Sequence, residues 1–358
     1  MLASPEFRLA IACCRGTFAK VDLGEIDKLC AAVDWLRFLR LVRFHRVQGL
    51  VWKCLASTCA AIPLDAAEAL SSDAEDIAVA NLRAAAECRN LLAAFEETGI
   101  PVLFVKGLTL GVLAYGNASA KAAIDIDLVV PRAALKEASS VLQKRAFHLI
   151  VPPGDLTVAS IQAWHSSHKE SVWFRPEDRL QIDLHTRLAD NLALIPSLTA
   201  KSSRQEVEVA PAIILPTLSD DELFAYLAVH GASSAWFRLK WIVDFAAFLH
   251  GRSGDEIERL YRCSQDLGAG RATGQALLLA DALFDTLTPI PELRLALHSN
   301  WPTRLLYQAA LRTLARAPFE PTQRWLGTLV IHWTQLLLLP GAGFKLRELW
   351  RQIRDATA

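Results

Sequence analysis

The 358-residue chain lacks a net charge: 38 lysines and arginines stand against 38 aspartates and glutamates. A protein that grips a long nucleic acid backbone usually carries a basic excess, so long DNA or RNA is disfavoured as substrate. A nucleic acid end or a small RNA on a local basic patch stays open. Cysteines with metal-ligand spacing are also lacking. The seven cysteines are odd in number, Cys13 and Cys14 are adjacent, and Cys54 and Cys59 stand without a second pair. Reduced, mostly buried thiols in a cytoplasmic protein are the plain reading. At the N-terminus no basic lead precedes the weakly apolar centre, which Glu6 and Arg8 interrupt, so no signal peptide is expected. A membrane span needs roughly 20 apolar residues. The best stretch, Trp325 to Leu339, is interrupted by His332, Thr334 and Gln335 and stops at Pro340-Gly341. It reads as a buried core helix, and no membrane partner is expected. No internal repeat or low-complexity tract is visible.

With 52% apolar residues the chain can bury a sizeable core in two or three structural units. Three regions are expected: helical residues 1–98, a mixed α/β core over 99–216, and a helical region over 217–358. Residues 101–130 organise the rest. Val102 to Val105 is β-prone and breaks at Lys106-Gly107, Leu108 to Tyr115 reads as a helix, and Gly116-Asn117 ends it. After a small-residue loop with Lys121, Ala123 to Val130 alternates strictly. Ile124, Ile126, Leu128 and Val130 point one way, Asp125, Asp127 and Val129 the other. Same-face residues on a strand lie about 6.5–7 Å apart, close enough for two carboxylates to share divalent cations.

A D-x-D strand alone is a weak signal, because a strand with one solvated face looks the same. A third acid strengthens it. In Arg179 to Leu188, Ile182 and Leu184 face the core while Gln181, Asp183 and His185 face away. His168 to Phe174 can pair with Leu180 to His185 across Arg175–Asp178 and so bring Asp183 beside the D-x-D strand. Pro131 to Lys144 reads as a helix with Pro131 in its first turn, Phe147 to Val151 as a strand, and Val207 to Leu215 as an edge strand or linker.

Strand, Lys-Gly turn, helix, D-x-D strand and a later strand with one outward Asp resemble the nucleotidyltransferase core of the DNA polymerase β superfamily. The similarity is greater to a branch of uncharacterised bacterial nucleotidyltransferases with a Lys-Gly turn. It runs through HRVQGLVWKCL, FVKGLTL, DIDLVV, IDLHTRL and LAVHGASSAWFRLKWIVDFAAFL. The resemblance implies an α+β fold: a small mixed sheet with helices, flanked by N- and C-terminal helical regions. It implies transfer of a nucleoside monophosphate from an NTP, with ATP the first expectation, to an acceptor hydroxyl or phosphate, releasing pyrophosphate. Asp125 and Asp127 would bridge two Mg²⁺ ions (Mn²⁺ as substitute), and Asp183 would hold the catalytic ion and orient or deprotonate the acceptor. Lys106 would bind the β/γ-phosphates, Gly107 would let the backbone approach them, and the helix from Leu108 would aim free amides at them. Lys121 stands where that branch usually has Arg, keeping the charge without the planar fork. His185 is read equally as a phosphate contact and as a satisfied strand histidine.

The helical flanks would build the acceptor pocket, for a small molecule or peptide in preference to long nucleic acid. His45 and Arg46, at a helix junction, either line its mouth or cap the junction. His165-x-x-His168 leaves a loop for a strand and is not expected to share a metal. Expected helices are 34–56, one opened by Pro63, 73–97, 219–230 (with a Ser219–Glu222 capping box), 234–250, 255–267, 271–287, 302–315, 323–339 and 344–357. Two other readings remain: a D-x-D glycosyltransferase, which usually has more alternating strands and helices before its acids, and a catalytically silent nucleotide- or peptide-binding module. Exchanging Asp125 or Asp127 for Asn is expected to spare the fold, since it removes repulsion between neighbouring carboxylates.

Overall fold

A five-stranded mixed sheet lies between two bodies of helices in the computed structural model, which describes residues 4–58, 61–123, 125–154, 158–315, 321–323 and 327–357. Cys59, Ile124, and Trp325 with its neighbours in the expected 323–339 helix lie outside the described residues. The fold is α+β, as expected, with 16 α-helices and seven strands among the described residues.

Five helices lead: α1 (Pro5–Arg15), α2 (Leu23–Cys30), α3 (Trp35–His45), α4 (Gln48–Leu55) and α5 (Leu64–Glu97). Ser4 and Asp34 cap α1 and α3 by accepting from Phe7 and Arg37 amides. The two helices expected on either side of residue 73 are one 34-residue helix, because nothing between Pro63 and Thr98-Gly99 breaks it. Strands β1 (Leu103–Val105), β2 (Ile126–Val129), β3 (His148–Val151), β4 (Glu170–Arg175) and β5 (Leu180–His185) form the sheet in the order β1-β2-β5-β4-β3. Only β2 and β5 are parallel; their register sets Asp127 opposite Asp183. Helix α6 (Gly107–Tyr115) links β1 to β2, and α7 (Leu135–Lys144) follows a 3₁₀ turn at Arg132–Ala134 that Pro131 precedes.

The alternation read from the sequence separates two cores. Phe104, Ile126, Leu128, Ile182, Leu184 and Trp173 pack with Ala84, Leu91 and Phe95 of α5 and with α7. Leu103, Val105 and Val129 join the larger cluster, where Phe38 and Leu50 meet Phe245 and Leu277 of the later helices. Each such large side chain withdrawn from water contributes about 1.5–3 kcal/mol.

Elsewhere the structure corrects the sequence reading. Residues expected to run from loop to strand form α8 (Val158–Ser167), and the expected single edge strand is a hairpin, β6 (Arg204–Ala210) and β7 (Ile213–Leu218), turned at Pro211-Ala212. Then follow α9 (Asp220–Ser233), α10 (Leu239–Leu249), α11 (Gly254–Asp266), α12 (Gly270–Phe284), an unforeseen α13 (Pro291–Ser299), α14 (Trp301–Leu314), α15 (Leu329–Gln335) and α16 (Ala342–Thr357). Ser219 makes no side-chain cap to the backbone; its hydroxyl donates to Glu222 instead, and the capping box is at Ser253 and Glu256 on α11. Helix α10 starts five residues later than expected because Ala235 and Trp236 adopt positive φ. The Trp236 ring then folds back over α9 so closely that a Cβ at Gly231 would lie 2.5 Å from it. The expected buried helix before Pro340 is the short α15, with Leu329 exposed and only Thr334 buried. Among the described residues no helix is long and apolar enough to cross a membrane. The six described cysteines are free thiols, five of them buried.

Candidate active site

The acids of β2 and β5 open onto a cleft between the sheet and the C-terminal helices. Asp125, Asp127, Asp183, Lys106, Gly107 and Lys121 all line it, so six of the seven residues singled out in the sequence meet in one place. The seventh, His185, lies beneath Asp127. Residues not singled out as ligands also reach the cleft, among them Lys169, Glu170, Lys240 and, from the α3–α4 junction, Arg46. His45 does not line it: it is buried, and its Nδ1 accepts from the Leu239 amide at 3.1 Å.

Local geometry puts each group in place. Lys106 ends β1 with φ 61° and Gly107 follows with φ 44°, a left-handed pair that turns the chain from strand into α6 and is strained for the lysine. Thr109 Oγ1 braces the turn by donating to the Phe104 and Lys106 carbonyls. The approach to Asp125 is pinned by buried Asn81 of α5, which donates to the Ala118 and Lys121 carbonyls at 3.1 and 2.7 Å and accepts from the Ala123 amide. Asp125 precedes β2 at a bend, whereas Asp127 is within the strand and buried.

Asp127 is held tightly. Its Oδ1 lies 2.7 Å from Lys106 Nζ and 3.0 Å from His185 Nε2. Burial pushes this carboxyl's pKa up, but the two neighbours outweigh it and leave it well below the ordinary value. Burial likewise disfavours the Lys106 ammonium, and Asp127 more than restores it. The expectation that Asp127→Asn would spare the fold is therefore revised: Asn leaves a buried ammonium without its counter-charge. The other ring nitrogen of His185 is 3.2 Å from Glu170 Oε2, out of line for a hydrogen bond. Glu170 bonds Lys169 at 2.5 Å; Lys169 and His185 overcome its burial and lower it to about 2. His185 thus bonds Asp127 and lies against Glu170 instead of lining the cleft.

Among the described residues no cation pairs with Asp183. Oδ1 accepts from Gln181 at 2.9 Å, and burial, then the charges of Asp127, Asp125 and Glu170, raise it to about 7. Lys121 is committed to Asp244 at 2.7 Å, whose other oxygen accepts from Tyr115 OH at 2.8 Å. Burial and the nearby Lys121 lower Lys240 to about 8. Beyond the cleft, His165 lies on α8, fully buried between Ser171 and Thr186 hydroxyls at 3.0 Å, while His168 stacks on Trp164. The two do not form a metal pair.

Ligand atoms of Asp127, Asp183 and His185 fall within 4.8 Å of one another. With Asp183 lacking a counter-charge, the group fits a hard divalent cation. Asp125 lines the same cleft but is not part of that group. Glu170 is the residue the sequence reading missed although it was within reach: the expected hairpin sets it opposite His185. Arg46 lines the cleft, the first of the two placements expected for it, whereas Lys240 carried no comparable local signal. A family model described as an uncharacterised nucleotidyltransferase matches residues 31–285. No curated protein matches the chain.

Proposed function

Since the chain belongs to this uncharacterised nucleotidyltransferase family, we propose that it transfers a nucleoside monophosphate from an NTP, ATP first, to an acceptor hydroxyl or phosphate. The observation that carries this reading is the pairing of Asp127 and Asp183 across parallel strands, with Asp183 left without a cation and raised to about 7. A bound divalent ion, Mg²⁺ or in its place Mn²⁺, held by Asp125, Asp127 and Asp183, would neutralise charge developing on the transferred phosphoryl group.

The chain's own residues do the rest. Asp183 orients the acceptor and accepts its proton as the new oxygen–phosphorus bond forms at the α-phosphate. The bond from that phosphorus to the β-phosphate oxygen breaks, and pyrophosphate leaves with the electron pair. Gly107 and the first amides of α6 face the phosphates, and Lys106, Arg46 and Lys240 supply positive charge along the cleft. Lys121 acts from behind, its bond to Asp244 tying the loop before Asp125 to α10. In this scheme residues 99–216 form the catalytic core, and the flanks (1–98 and 217–358) close the cleft around a small-molecule or peptide acceptor.

A specific observation favours a second reading: Lys106 already occupies Asp127 Oδ1, as a lysine would in a silent nucleotide-binding module. Incubation with α-labelled NTPs, Mg²⁺ and candidate acceptors, read by product mass, separates the two. Transfer predicts labelled acceptor and pyrophosphate. Asp183→Asn should still bind Mg²⁺-NTP but transfer at least about a hundredfold more slowly. NTP-dependent thermal stabilisation without pyrophosphate release across the acceptor panel would favour the silent module.

A further inference from the structure

Helix α16 is amphipathic in the wrong sense for a helix that only packs on its own protein. Leu346, Leu349, Trp350 and Ile353 recur at i, i+3, i+4 and i+7, which places them on one face. They are 66%, 42%, 71% and 56% exposed. The opposite, largely polar face is the one that packs. Glu348 is buried and accepts from Asn191 Nδ2 at 2.6 Å; Arg351 donates to Gln335 Oε1 at 2.9 Å; Gln352 donates to the His332 carbonyl at 3.0 Å. Only Phe344 adds an apolar anchor on that side. Hydrogen bonds hold the helix so that its hydrophobic stripe points outward.

The borders of the stripe indicate what covers it. By helical geometry Lys345 lies along one edge, and Arg347 and Arg354 along the other. Lys345 and Arg347 are exposed, and Arg354 is half-exposed in a pair with Asp355. Arg132 and Arg187 stand near the Arg354 end: burial lowers Arg187, and the cations of Arg132 and Arg354 add to that. A second copy laid against this face would set cations against cations along both edges. An anionic surface with an apolar interior would complement both edge and stripe, with basic side chains reaching the headgroups while Leu, Trp and Ile enter the acyl boundary.

We propose that α16 docks the protein onto an anionic phospholipid surface, lying in the interface with Leu346, Leu349, Trp350 and Ile353 inserted. This is peripheral attachment and requires no spanning helix.

Cosedimentation of the full chain with vesicles tests it, using phosphatidylcholine alone against phosphatidylcholine enriched in phosphatidylglycerol. The protein should bind the anionic vesicles, less at high salt, and bind neutral ones far more weakly. Leu349→Gln with Trp350→Gln should lower partitioning at least about tenfold. Lys345→Gln with Arg347→Gln should lower it about fivefold per removed cation, on anionic vesicles only. All four side chains are exposed, so melting temperature should be unchanged, and the charge pair tests the idea even if the apolar pair misfolds. A protein that stays in the supernatant with anionic vesicles at low salt would overturn the proposal. So would parent-like binding by both variants. A concentration-dependent dimer that the apolar pair dissociates would assign the face to a second copy instead.

Discussion

The β4–β5 hairpin carries a charge cluster at each end, and they are built in opposite ways. At the turn end, Glu87 of α5 accepts from Arg145 Nε at 2.7 Å and Arg175 Nη2 at 2.9 Å, and Arg175 also holds Asp178 at 2.7 Å. Burial would raise Glu87, but the two guanidinium groups hold it below its ordinary value. Both carboxylates of that cluster have an arginine. At the open end, Asp125, Asp127, Glu170 and Asp183 converge on Lys106, Lys169 and His185, and among the described residues no cation pairs with Asp125 or with the more deeply buried Asp183. Charges balanced in fixed geometry serve the fold. A buried carboxylate kept without its cation costs stability, and such a cost is retained where a ligand supplies the missing charge.

The largest effect that would test this contrast comes from Asp127→Asn. It removes a cation-holding oxygen and also strands Lys106, so nucleotidyl transfer should fall at least about a hundredfold and stability should fall too. Product mass and a denaturant melt read the two losses. Unchanged turnover would remove Asp127 from the site altogether.

Next in size is the turn end. Arg175→Ala leaves Glu87 with Arg145 alone and Asp178 with no arginine, so unfolding free energy should drop by about 1.5–3 kcal/mol. Transfer per folded molecule should not change. If the variant melts normally but transfers slowly, the two ends are coupled and the contrast fails.

The sequence showed the acids because period-two alternation decides which face a side chain takes, and hairpin register decides its neighbour. Asp127 and Asp183 needed nothing more; Asp125, expected within the same strand, precedes β2 at a bend. The same arithmetic reaches Glu170, which the register sets opposite His185. Arg46 and Lys240 could not be placed that way, since helices far apart in the chain bring them to the cleft. Helix α8 was hidden because its apolar pattern is broken where a core position falls to a polar residue: Ile161 is buried there, and so is His165. The stripe on α16 shows in its spacing, but spacing does not say which face meets the protein. Only the bonds from Asn191, Gln335 and His332 settle that. Proline and glycine located most breaks, yet α10 starts late because Ala235 and Trp236, neither a breaker residue, adopt positive φ.

The smallest effect compares how the two ends respond to acid. His165 lies behind the open end. Ser171 Oγ accepts from the Trp173 indole at 3.1 Å and is 3.0 Å from His165 Nε2. If its one hydroxyl proton goes to Nε2, the imidazole is neutral and donates from Nδ1 to Thr186. Burial, then the neighbouring His185, Arg187 and Arg132, lower this histidine from 6.5 to about 4. Because the folded pKa is depressed for a base, the unfolded chain binds the extra proton first. The stability His165 contributes as a neutral ring is present above pH 6.5 and drains away as pH falls toward 4, by at most about 3 kcal/mol. Glu87, an acid with lowered pKa, supports the fold until pH falls through the ordinary carboxylate range, so the turn end should yield later. Asp183, raised to about 7, has the opposite sign, so the difference between parent and His165→Gln is the useful quantity. Gln keeps a donor and an acceptor but cannot titrate. In chemical melts the parent's advantage over His165→Gln should therefore shrink steadily between pH 6.5 and 4, while the gap between parent and Arg175→Ala holds over that window and closes only below it. A His165 gap that stays constant with pH would mean that the imidazole is already charged in the fold, and that the open end is held by an ion pair much as the turn end is.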